Sequence, residues 1–288
     1  MGFKQEILKR IEKATDLPTL PGVFVKLDKM ISNSNTSASQ VAEVMKDDIS
    51  LTARVLKVAN SAAFAGTKKI TSVSAAIARL GFSQMSNITR SLSVMGKFQS
   101  KGVIDLKKFW RHSLSVAYTM DLIPRYLDRS PKESAELFTA GLLHDVGIFA
   151  MVQYTGDLYA SVIATAAATE QPLHMAEHDV MQTNHAEVGS VMLARWNIPG
   201  TIGDAIKHHH DNIVPSEGAI STADVIKMAN YICNFYGIDH GLQAKAPPAT
   251  DSDLVRLGFK VNMIKPMREE VEALVGKSVV MVAIATDN

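Results

Sequence analysis

Apolar residues recur every three or four positions along most of this chain, and strict alternation is nearly absent. That period belongs to helices burying one face rather than to half-buried strands. SASQ (37–40) reads as a capping box ahead of Val41, Val44 and Met45. Asp48 caps a helix whose stripe is Leu51, Val55 and Val58. Ser72 opens another, with Val73, Ile77 and Leu80 on one side and Gly81 as its stop. SPKE, Ser130 to Glu133, carries a Ser cap, a first-position Pro and a Glu three residues on. Further helices are expected near 106–123, 157–170, 185–197, 201–210, 222–236 and 264–275. SVVMVAIA (278–285) fits either a short strand or a last helical turn.

An all-α architecture follows, with an N-terminal helical bundle packed on a second one. The expected segments are residues 1–103, 104–238 and a C-terminal appendage at 239–288, divided at QSKGVIDL (99–106) and at the loop carrying Pro247 and Pro248. With 288 residues, 47% of them hydrophobic, the chain can bury a sizeable core. Its 30 basic and 29 acidic residues leave a charge of +1, so nucleic acid and anionic membranes are not expected partners. The helices ending in Arg79 and Arg90 carry too little clustered charge for a DNA reader. One cysteine, Cys233, excludes an intrachain disulfide framework. No apolar run of 18 residues occurs and MGFKQEILKRIEKATD has no signal-like apolar core, so the expected location is the cytoplasm, without membrane insertion.

The chemistry lies in the histidines. GLLHDVGIFAM (141–151) is apolar except for His144 and Asp145. On a helical wheel from Leu137, Gly141, His144 and Ile148 share one direction and Asp145 lies about 80° away, so both polar groups border the inward face. A buried carboxylate needs a cation or several donors, and a metal shared with an imidazole meets that need. His112 lies with Phe109, Val116 and Met120; His185 begins a helix capped by Asn184, with Glu187 as the cap's partner. His209 and His210 follow the apolar side set by Ile202 and Ile206, whereas His208 faces away. A single histidine on an apolar face is usually a hydrogen-bonded core residue. Five, spread over four helices, point to a shared polar pocket. His174, His178 and His240 lack this context and are expected at the surface.

The order His112, His144–Asp145, His185, His209–His210 resembles the HD superfamily of metal-dependent phosphohydrolases, with spacing similar to its cyclic-dinucleotide phosphodiesterases. That resemblance implies His112, His144 and Asp145 as metal ligands, His185, His209 and His210 as a second metal position, and a metal-activated water as nucleophile. LPTLPGVFVKLDKMI, DDISLTARVLKVANSAAFAG and ITSVSAAIARLGFSQM in the first half resemble the HD-related output domain, HDOD. This likeness spans roughly residues 14–215 and fades toward 237. It implies a bacterial signalling module, usually a non-catalytic output or scaffold domain. From the residues alone, Asn60, Ser61, Pro18 and Pro21 read as structural punctuation.

Three departures weigh against catalysis. Ile148 stands where active relatives carry a Lys that could engage phosphate. Met228, Ala229 and Asn230 occupy the place of a Val-Ala-Asp pattern, so the final ligand is an uncharged Asn, and Asp224 reads instead as the first-turn acid of a helix capped by Ser221. After HHHDN the chain runs IVPSEG rather than Gly-Tyr-Pro. The expected function is a signal-transduction output module, non-catalytic, binding a signalling partner protein or a nucleotide. A metal-dependent phosphohydrolase acting on a nucleotide or cyclic dinucleotide is the alternative. The expected metal is a divalent Fe, Mn or Mg ion, bound weakly or substoichiometrically because Asn230 removes one negative charge.

Overall fold

A computed structural model describes residues 3–14, 18, 20–31, 36–46, 48–64, 68–98, 102–127, 136–212, 220–242 and 257–286. Among them there is no strand, and SVVMVAIA forms the end of a long helix. The chain divides into two compact units that are not consecutive in sequence: residues 1–17 with 100–274, and residues 18–99 with 275–288. This differs from the three successive segments expected.

The second unit contains α2 (Gly22–Ile31), α3 (Ala38–Lys46), α4 (Ile49–Ala59), α5 (Val73–Leu80) and α6 (Phe82–Met95). Its local signals fold as their chemistry dictates. The Ser37 hydroxyl accepts from the Gln40 amide while the Gln40 side chain accepts from the Ser37 amide, the reciprocal pair of a capping box. Asp48 caps α4, and Leu51, Val55 and Val58 are buried. Gly81, at φ +83°, ends α5 and turns the chain directly into α6. The Asn60 side chain donates to the Leu56 and Ile70 carbonyls and accepts from the Ile70 amide, which confirms a turn-holding role. α6 packs against α2, α4 and α5 and is buried continuously from Met85 to Met95.

The first unit contains α1 (Phe3–Lys13), α7 (Leu106–Leu127), α8 (Leu137–Leu143), α9 (Gly147–Thr155), α10 (Asp157–Thr169), α11 (Leu173–Met181), α12 (His185–Arg195), α13 (Gly200–Lys207) and α14 (Thr222–Phe235). The last helix, α15 (Val261–Thr286), begins here and ends in the other unit. α1 belongs to this unit, and Arg195 of α12 donates to the Ile11 and Ala14 carbonyls at the end of α1 at 2.7 Å each. α7 packs on α8 and α14, and α12 packs on α9 and α13. The Ser130–Glu133 cap and the IVPSEG segment lie outside the described residues. Leu137–Thr155 is apolar enough to match a membrane span by composition, but 83% of that window is buried within the protein and it is broken by a turn.

Candidate metal centre

The apolar period of Gly141–Met151 runs unbroken, yet the helix does not. α8 stops at Leu143 and a tight turn with i→i+3 bonds, Val146 to Leu143 and Ile148 to Asp145, leads into α9. This corrects the continuous helical wheel. The turn lets His144 and Asp145 aim into the same space, with His144 Nε2 3.0 Å from Asp145 Oδ2. Two glycines admit the neighbouring helices. A Cβ on Gly147 would lie 2.0 Å from the His185 carbonyl oxygen, and one on Gly141 would lie 2.6 Å from Ala117 Cα of α7. The close approach at Gly147 sets His185, at the start of α12, beside the turn; the one at Gly141 brings up the helix that carries His112.

Asp145, only 2% exposed, is the hub. Its Oδ2 lies 3.5 Å from His112 Nε2, and its Oδ1 lies 3.2 Å from His185 Nε2 and 3.9 Å from His209 Nε2. His210 Nε2 meets His185 Nε2 at 2.8 Å. Ligand atoms of His112, His144 and Asp145 fall within 4.8 Å of one another, and so do those of His185, His209 and His210. The structure therefore brings together six of the seven expected site residues.

The anchoring of each ring decides which nitrogen faces the pocket. His112 Nδ1 pairs with the Ile238 carbonyl at 2.6 Å, His144 Nδ1 with the Gly141 carbonyl at 2.8 Å and His209 Nδ1 with the Ile206 carbonyl at 2.6 Å. A carbonyl only accepts, so each Nδ1 carries the hydrogen, and in the neutral tautomer the Nε2 lone pair turns inward. The Nε2 atoms of His112, His144 and His209 are buried and have no aligned hydrogen-bond partner among the described residues. Three acceptor nitrogens converging on a carboxylate repel one another unless a cation lies between them. Metal-ligating histidines are held in the same way, through the ring nitrogen that faces outward.

Burial alone would raise the Asp145 pKa, but the imidazoles packed around it, His144 first and then His112 and His185, outweigh it and hold the carboxyl well below its ordinary range. Burial would lower His185, yet the Glu177 charge and contact with Asp145 push it up to about 10. Burial, reinforced by neighbouring imidazoles, holds His209 and His210 well below the usual histidine value. Imidazoles held neutral at His209 and His210 beside a stable carboxylate are groups that a cation can engage.

The HDOD domain profile matches residues 17–212. The chain belongs to the HDOD family. Its structure resembles that of an HDOD domain protein of unknown function from Geobacter sulfurreducens, with a TM-score of 0.78 and 23% identity over 99% of this chain and 96% of that one. A protein from Shewanella amazonensis, provisionally named a phosphohydrolase, matches at TM-score 0.73 and 22% identity over 97% and 98% of the two chains. A protein from Marinobacter aquaeolei, provisionally named for signal transduction, matches at TM-score 0.77 and 17% identity over 99% of this chain and 66% of that one. These likenesses show the shared all-α fold. An uncharacterised protein of Treponema pallidum is 24% identical over 201 residues, covering 69% of this chain, which spans 39% of that relative's length.

In this HDOD chain the remaining expected ligand, Asn230, is engaged elsewhere. Its Oδ1 accepts from Asn234 Nδ2 at 2.6 Å. Ile148 is fully buried and apolar. His208 is exposed and pairs with Asp211, and His178 is exposed, both as expected. His174 and His240 are not surface residues. Both are half-buried, His174 stacked on His210 at 3.9 Å and His240 edge-on to His112 at 5.6 Å, and burial lowers each to about 4. The sequence reading also passed over Glu177 and Tyr159, which stand behind His185. A faint signal existed: in α11 His174 and Glu177 are three residues apart and so share a face.

Proposed function

We propose that this chain is a bacterial, cytoplasmic signal-transduction output module whose core holds a divalent metal centre and which binds a partner protein or nucleotide without turnover. One observation carries the metal: three buried Nε2 atoms, fixed as acceptors from behind, converge beside the Asp145 carboxylate. His112, His144 and Asp145 would hold one ion and His185, His209 and His210 a second, with Asp145 between them. An ion there supplies Lewis acidity and ties α7, the His144–Val146 turn, α12 and the end of α13 together. The donor set is five imidazoles to one carboxylate, which suits Fe²⁺ or Zn²⁺ and disfavours Mg²⁺, a cation that prefers oxygen ligands. Asn230 adds no charge, so binding is weaker than in a centre with a second Asp.

The absence of turnover rests on Ile148. Its buried sec-butyl side chain offers nothing to engage a phosphate where active relatives place an ammonium group. The histidine set favours the alternative, a phosphohydrolase acting on a nucleotide or cyclic dinucleotide. The test is hydrolysis of a generic phosphodiester and a cyclic dinucleotide by chain reconstituted with Fe²⁺, Mn²⁺ or Zn²⁺. Metal uptake without turnover is the expected result. Turnover lost in Asp145→Ala would overturn the non-catalytic reading.

A further inference from the structure

Glu177 is a fully buried carboxylate in the middle of α11. Its Oε1 accepts from the Tyr159 hydroxyl at 2.7 Å. Its Oε2 accepts from the His185 amide at 2.8 Å and contacts His185 Nδ1 at 2.7 Å. Tyr159 is itself fully buried, so the pair is closed to solvent on the side away from the pocket. His112, His144 and His209 rest on neutral backbone carbonyls, whereas His185 rests on a full negative charge.

That difference falls unevenly on the two halves of the centre. The His112–His144–Asp145 group contains its own carboxylate. The His185–His209–His210 group contains only imidazoles, and its acidic contribution comes from behind, through the His185 ring. A carboxylate on Nδ1 makes Nε2 a stronger donor and fixes the plane of the ring. Two anchors, one to the His185 backbone and one to its side chain, also fix the start of α12 relative to the pocket.

We propose that Glu177, held by Tyr159, is the positioning residue of the metal position formed by His185, His209 and His210, giving an all-imidazole site the charge it lacks. This rests on the metal reading above. The test uses the full chain, stripped of metal and titrated with Zn²⁺ or Co²⁺ alone against a competing chelator. Wild type is compared with Glu177→Gln, which keeps the size of the side chain but removes its charge and turns one acceptor oxygen into a donor, and with Tyr159→Phe, which removes only the hydroxyl. Glu177→Gln is expected to weaken one class of bound metal by about 10- to 100-fold and leave the other unchanged, with a changed Co²⁺ absorption band for the weakened class. Tyr159→Phe should weaken the same class by less, and it carries the test if Glu177→Gln does not fold. Unchanged binding in the folded variants, or equal weakening of both classes, would overturn the assignment of Glu177 while wild-type uptake upholds the metal reading. A wild-type chain that takes up no metal would overturn both.

Discussion

Two parts of this molecule bury polar groups, and they do so to different ends. Along α6, Ser86, Asn87, Thr89, Arg90, Ser91 and Ser93 are all buried. Four of them bond within the helix: Thr89 donates to the Met85 carbonyl, Ser91 to the Asn87 carbonyl, Ser93 to the Arg90 carbonyl, and Arg90 to the Asn87 side chain, while Thr89 also lies 3.7 Å from Met45 Sδ. In the other unit, His112, His144 and His209 spend one nitrogen each on a carbonyl and leave the second unmatched beside a carboxylate. Burial of polar residues therefore does not by itself mark a site. Acceptors left facing an acceptor do, because the arrangement is stable only with a cation among them.

The sharpest way to break the contrast is through the backbone that shapes the pocket. Gly147→Ala places a methyl 2.0 Å from the His185 carbonyl, so α9 and α12 must separate. The expected loss is about 3 kcal/mol in denaturant unfolding of the metal-free chain, together with metal uptake. Asp145→Ala comes next. It removes the shared carboxylate, and metal-dependent thermal stabilisation should vanish, as read by comparing melting with and without Zn²⁺. On the other side, Ser91→Ala removes a hydroxyl whose bond stays within its own helix. About 1 kcal/mol or less should be lost, with metal affinity unchanged. A larger loss, or any loss of metal, would blur the distinction. The smallest effect concerns Cys233, whose thiol burial pushes up to about 12. Alkylation at pH 8 should be negligible in the native chain and complete after denaturation, scored by intact mass.

Much of the fold was legible because its signals are local. The caps at Ser37, Asp48, Ser72, Asn184 and Ser221 each depend on a residue three positions away. The pocket histidines were legible too, since each falls on an apolar face. The residues behind them were not. Glu177 acts across eight positions on His185 and eighteen on Tyr159, and α11 follows a Pro with no side-chain cap, so LHMAEHDVM reads as surface. The break after Leu143 was hidden by an unbroken apolar period. His240 and His174 lie outside any apolar stripe and are drawn in by contacts with His112 and His210. Glu187, expected to serve the Asn184 cap, gives that cap its amide, while its carboxylate meets Lys4 and Thr183. That link to α1 leaves no trace in local pattern.

The most direct measurement of the central claim is metal stoichiometry by elemental analysis, after reconstitution with Fe²⁺ or Zn²⁺ and gel filtration, for wild type beside Asp145→Asn. The variant keeps the size of the side chain and removes its charge. Metal that co-elutes with wild type and is lost from a folded Asp145→Asn chain is the predicted result. A wild-type chain that emerges without metal, or a variant that retains it equally, would contradict the account.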